Sequence, residues 1–197
     1  MNSDDLRAAL LAGDLSRPRL TWYDESAGER IDLSGKTLAN WVAKAANWLE
    51  TEMALAPGDR FGLLIPPDHW RAIYWSLAAW TRGLTITPGT DADAVVALAG
   101  AAEPADLAEP AAALAASPLQ AMSDAMPVPV GPVAYAVAAA PQDVPRGSRV
   151  LVGEPAQQVP LLTAELICQD CSVLVLRGAD EHQRTARSAA EAVDVVL

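Results

Sequence analysis

The sequence predicts an α/β protein: a parallel-sheet core of two similar β-α-β-α units, preceded by an N-terminal hairpin and helix. Three observations carry this. From Arg60 onward, short apolar runs bounded by turn residues alternate with segments of helical period, which is the pattern of a parallel sheet. The order repeats within the chain. Laying Gly147-Ser148-Arg149-Val150 on Gly58-Asp59-Arg60-Phe61 brings Pro155 onto Pro66, Leu166 onto Leu77, Val173-Leu174-Val175 onto Leu84-Thr85-Ile86, and Asp180 onto Asp91, without a gap. Finally, the copies are separated by a proline- and alanine-rich acidic stretch that contains no Lys or Arg from Glu103 to Pro145. Such a stretch reads as a connection lying over a surface. The expected division is residues 1–100 for the hairpin, helix and first unit, 101–132 for the connection and 133–197 for the second unit.

Residues 3 to 13 read as a short helix. Arg19 to Asp24 and Glu29 to Leu33 read as two strands around the turn Glu25-Ser26-Ala27-Gly28. Ser34 suits the N-cap of a helix in which Leu38, Trp41, Val42, Ala45, Trp48, Leu49 and Met53 recur at helical spacing. Pro57-Gly58-Asp59 is a turn, and Arg60 to Ile65 is apolar enough for a strand buried on both faces, ended by Pro66-Pro67. Asp68 to Thr81 is a Trp-rich helix closed by Gly83. Leu84 to Thr87 follows as a strand and Asp91 to Ala99 as a further helix, and the chain ends on an apolar strand, Val193 to Leu197.

Composition restricts the function classes. In 197 residues, 25 acidic side chains oppose 14 basic ones, a net charge of −11, which disfavours nucleic acid and anionic membranes as partners. The longest uncharged run, Ala125 to Gln142, holds Pro127, Pro129, Pro132 and Pro141 and so cannot be a spanning helix. The acidic start, Met1-Asn2-Ser3-Asp4-Asp5, does not read as a signal peptide, and two cysteines provide no disulfide framework. A cytoplasmic location is expected.

Three segments together resemble a known family: the helix Thr37-Leu38-Ala39-Asn40-Trp41-Val42-Ala43-Lys44-Ala45-Ala46-Asn47-Trp48-Leu49; Ala56-Pro57-Gly58-Asp59-Arg60-Phe61-Gly62-Leu63-Leu64-Ile65-Pro66; and Arg82-Gly83-Leu84-Thr85-Ile86-Thr87-Pro88. They look like the N-terminal part of adenylate-forming enzymes, the AMP-forming acyl-CoA synthetases and their kin. The chain also resembles a short, mainly actinobacterial group similar to these enzymes only in that region. The resemblance implies a truncated large domain of an adenylate-forming enzyme. It also implies that a Ser/Thr/Gly-rich phosphate loop ending in Pro-Lys-Gly should stand between the two units. Ala136 to Pro145 stands there instead, with no Gly-rich turn, no Lys, and Asp143 to repel phosphate. No catalytic residue of the family carries over, no cofactor is expected, and the cofactor-binding residues stay unassigned.

Other chemistry is sparse. Gly35-Lys36-Thr37 echoes the end of a P-loop, but the leading glycine is replaced by Arg30. Cys168-Gln169-Asp170-Cys171 has redox or metal spacing, yet a zinc site needs two further ligands and His69 and His182 are isolated. The cysteines read as packing residues, His69 as a helix-start residue and His182 as a solvated helix opening without a role. No metal site is expected. The stripe Trp70, Tyr74, Trp75 and Trp80 reads as core or as a surface for a protein partner or a second copy. The functional expectation is a catalytically inactive, truncated homologue of the synthetases acting through protein contacts. The alternatives are an acyl or nucleotide binding module without turnover, and an enzyme of other chemistry using Cys168, Cys171 or His69.

Overall fold

The computed structural model describes residues 2–135, 144–153 and 155–197. Helix α1 (Ser3–Leu10) is capped by Asn2, whose side-chain oxygen accepts from the backbone N–H of Asp4 and Asp5 at 3.0 Å, while Leu6 and Leu10 turn into the core. Strands β1 (Pro18–Asp24) and β2 (Glu29–Ser34) form the expected antiparallel hairpin. Gly28 at its turn takes a φ of +67°, and the Asp24 carboxylate accepts the N–H of Ser26 and Ala27. Ser34 caps α2 (Gly35–Thr51), accepting from the N–H of Thr37 at 3.2 Å.

The first unit contains β3 (Arg60–Leu63), α3 (Trp70–Thr81), β4 (Thr85–Thr87), β5 (Ala94–Leu98) and, further on, β6 (Leu107–Glu109). The second contains β7 (Arg149–Val152), α4 (Val159–Cys168), β8 (Ser172–Arg177), α5 (Glu181–Ala190) and β9 (Val195–Val196). Two sheets result: β4-β3-β5-β6, all parallel, and β2-β1-β8-β7-β9, parallel except for β2. Helix α3 packs on α1, α2 and α4 and on β3 and β4, whereas α2 and α4 pack on the strands of the other sheet. The helices thus form a layer shared by both sheets. Among the described residues no helix is long and apolar enough to cross a membrane.

One element differs from expectation. Residues expected as a helix from Asp91 to Ala99 form strand β5. Ala94 to Ala97 are all buried, and Val95 and Val96 are β-branched in a run too short for a stable helix. The first unit is therefore β-α-β-β, and the internal repeat holds only through its first three elements. The third strands still correspond in space: β5 lies beside β3 as β9 lies beside β7. The second unit reaches that place through α5, and the first through residues 88–93, which cross directly over β3.

That crossing explains Gly62. A Cβ there would lie 2.5 Å from the carbonyl oxygen of Gly89 and 3.1 Å from Val95 Cγ2, so loop backbone rests on strand backbone. The proline-rich segment also differs in part from a simple connection. It does lie over the helices, where Arg7, Lys44, Asn47 and Arg82 donate to the carbonyls of Pro127, Gln120, Met122, Ser123, Ala125 and Val128 in place of a strand partner. Its earlier part, however, supplies β6 and buries Glu109, Ala113 and Leu119.

Substituting Gly62→Ala is expected to lower stability by about 1–3 kcal/mol, as overpacking does where the opposing atom is backbone. Urea denaturation measures it, and an unchanged midpoint would disprove the close approach.

Candidate functional site

Helix α3 organises the interior. His69 is its N-cap, with Nδ1 accepting the N–H of Arg71 at 3.1 Å, as expected of a helix-start residue. The next turns place an almost wholly apolar helix among aromatics from α2 and β3. Trp41 stacks on Tyr74 with centroids 5.5 Å apart, and Trp75 meets Trp48 edge-on and Phe61 at an angle. Trp70, Tyr74 and Trp75 are buried within the chain itself, so they provide no surface for a partner. Of that stripe only Trp80 is half-buried, stacked on Tyr135 with ring centroids 5.2 Å apart.

Sequence reasoning missed what anchors this helix. Glu109, fully buried at the end of β6, accepts from Arg71 Nη1 at 3.2 Å, Tyr74 Oη at 2.6 Å, Trp75 Nε1 at 3.1 Å and Ser117 Oγ at 3.1 Å. Arg71 Nη2 donates to the carbonyls of Ala112, Ala113 and Ala115. A signal was present: an arginine inside an apolar helix demands an acid, and the alanine-rich stretch holds few.

Several sequence candidates occupy structural positions. The backbone N–H groups at Gly35, Lys36 and Thr37 are occupied by the oxygens of Arg17, Leu15 and Ser34, leaving none for phosphate. Cys168 and Cys171 are free thiols packed against the core, and burial pushes the Cys168 thiol up to about 11, which leaves little nucleophilic thiolate. His182 lies exposed in the first turn of α5. Burial, with Arg71 and Arg177 nearby, pulls His69 down to about 4, so it is neutral at physiological pH. Among the described residues no group of three or more His, Cys, Asp or Glu is arranged to hold a metal. The interval from Ala136, where a phosphate loop was expected to be replaced, lies outside the described residues except for Val144 and Pro145.

Of several hollows, the one with the most apolar walls is a cleft of about 280 Å³ at the carboxyl ends of β3 and β4. Leu63, Ile65, Pro67, Ile86 and Pro88 come from the strand ends; Ala72, Ser76 and Trp80 from α3; and Gln157, Pro160 and Leu161 from the start of α4 and the turn before it. An adjoining hollow of about 550 Å³ shares Leu63, Ile65, Pro67 and Pro88 and adds Gly89, Thr90 and Glu103. The strand-ending prolines free this region of ladder partners, and the carboxyl edge of a parallel sheet is where open α/β folds bind ligands. Ser76, Thr87 and Gln157 supply the polar atoms of the cleft, and none of its described lining residues is ionisable. The arrangement can enclose an apolar group and offer it neutral hydrogen bonds. Among its described residues there is no nucleophile paired with a base.

No protein-family model matches the chain. It is 35% identical over 161 residues to a Mycobacterium tuberculosis protein described as a TIGR03089 family protein, a match spanning 76% of this chain and 66% of that one. The Brucella canis acyl-CoA synthetase superposes with a TM-score of 0.70 at 14% identity, over all of this chain and 47% of the enzyme. The N-terminal domain of FACL13 from Mycobacterium tuberculosis gives 0.67 at 15% identity, over 98% of this chain and 61% of that domain. At such identities the two structures speak for the fold alone. This chain thus spans about half to two thirds of the proteins it matches.

Two outcomes follow from the buried groups. Replacing Glu109 by Leu strands the Arg71 charge and is expected to cost about 3–5 kcal/mol, whereas the Arg71→Met, Glu109→Leu double variant loses less than the two single changes together. Denaturant unfolding of the four proteins reads the coupling, and strict additivity would dismiss it. His69 binds its proton more weakly folded than unfolded. Its contribution is therefore intact above the ordinary value of 6.5 and is lost as pH falls toward about 4, by up to about 3 kcal/mol. His69→Asn, which keeps a cap acceptor, is expected to flatten that part of the stability profile, and a profile parallel to the parent's would rule the assignment out.

Proposed function

Because the chain is a homologue of the mycobacterial TIGR03089 family protein and carries the N-terminal fold of acyl-CoA synthetases, we propose that it is a catalytically silent derivative of the adenylate-forming fold that works by binding. The observation that carries this reading is the cleft at the ends of β3 and β4. It has apolar walls and, among its described residues, no side chain able to take up a proton or balance a developing negative charge. Adenylation requires a polyphosphate to be held and neutralised, and neither Gly35-Lys36-Thr37 nor the sequence from Ala136 to Pro145 offers the means. What remains useful from the fold is a place to seat an acyl chain or similar apolar group.

A protein partner is the second reading. It is favoured by Leu114 and Val128, which are 85% and 78% exposed on the segment that straps the helices. The buried aromatics of α3 play no part in it. Free Cys168 and Cys171 suit a reducing, cytoplasmic setting.

Calorimetry is expected to detect no binding of ATP or AMP and to detect binding of a medium-chain acyl compound. Leu161→Trp, at the half-buried rim, should weaken the latter about tenfold with an unchanged unfolding midpoint. Micromolar ATP affinity would overturn the proposal.

A further inference from the structure

The composition of the cleft discriminates between ligands more sharply than its shape does. A carboxylate seated among Leu63, Ile65, Ile86, Pro88 and Trp80 would leave water without a counter-charge, the costliest way to bury a polar group. None of the described residues lining the cleft or the adjoining hollow is a cation. The arginines on the flanking elements are engaged: Arg60 with Asp91, Arg71 with Glu109, Arg82 with Glu50, and Arg177 with Asp24 and Asp68. Residue 1, residues 136–143 and residue 154, outside the described set, include no Lys, Arg or His side chain in their sequence. Among the described residues, the one ionisable side chain lining the adjoining hollow is Glu103, of the same sign as a fatty-acid head group, in a chain of net charge −11. Against this, Ser76 and Thr87 hydroxyls and the Gln157 amide can both donate and accept, which suits a neutral oxygen.

Resting on the reading of this cleft as a binding site, we infer that its ligand is an uncharged amphiphile: an apolar chain ending in an alcohol, amide or ester, and not the free carboxylate that an acid-activating enzyme would take. The cleft's volume, about 280 Å³, stands just below the lower end of the about 300–1,000 Å³ usual for small-molecule sites, so a medium-length chain is the fitting size. Ser76, buried on α3, lies on the inner wall, and Gln157 is exposed at the rim.

Calorimetric titration of the full chain with octanamide, 1-octanol and octanoate at neutral pH tests this. The amide and alcohol are expected to bind about tenfold or more tightly than octanoate, the factor that an uncompensated buried charge imposes. Gln157→Arg, a change at an exposed position that leaves the core untouched, should narrow or reverse the ratio by supplying the missing cation. Equal or tighter binding of octanoate to the parent chain overturns the inference while leaving the cleft a binding site, as does a Gln157→Arg ratio that does not move. Failure of all three compounds to bind overturns the reading of the cleft itself.

Discussion

Everything around α3 is arranged to accommodate one charge pair taken entirely out of water. Arg71 and Glu109 lie on a helix and a strand far apart in sequence, and isolating either charge is far more costly than keeping the pair. Tyr74, Trp75 and Ser117 add their donors to the carboxylate, and three carbonyls from the alanine-rich turn accept from Arg71 Nη2, while the buried Nε has no partner among the described residues. Those bonds fix the rotation of α3, seat β6 beside β5 and hold the start of the proline-rich segment against the core. The wall that Ala72, Ser76 and Trp80 offer to the cleft follows from that rotation, since they occupy another side of the same helix.

Most of the fold was legible because it is written in periodicity and turn chemistry. The hairpin around Gly28, the Ser34 cap, the Trp-rich helix after Pro66-Pro67 and the strand–helix–strand order of the second unit all depend on neighbours in sequence. Strand β5 was misread because Ala94 to Leu98 is a short apolar run whose period does not separate helix from strand. Its pairing with β3 decides the matter, and that contact is long-range. The aromatic stripe was ambiguous for the same reason: a helix apolar on every side suits a core and an interface equally until its neighbours are known.

The site was less legible than the fold. The cleft is made of side chains from strand ends, one helix face and the start of another helix, none of which forms a motif, and its meaning lies in what its walls lack. Glu109 sits in an alanine- and proline-rich stretch whose composition argues for solvent, yet one residue there reverses that reading. A polar side chain in an apolar setting carried more information than the many residues around it.

The path of residues 88–93 has a consequence of its own. This loop touches β3 through main-chain atoms at Gly62 and Gly89, and the Asp91 and Asp93 carboxylates tie its far end to Arg60 at the start of the same strand. Between these two anchors Thr90 stands exposed on the lining of the adjoining hollow. The chemistry at that one point of the entrance can therefore drift while the anchors on either side keep the sheet as it is.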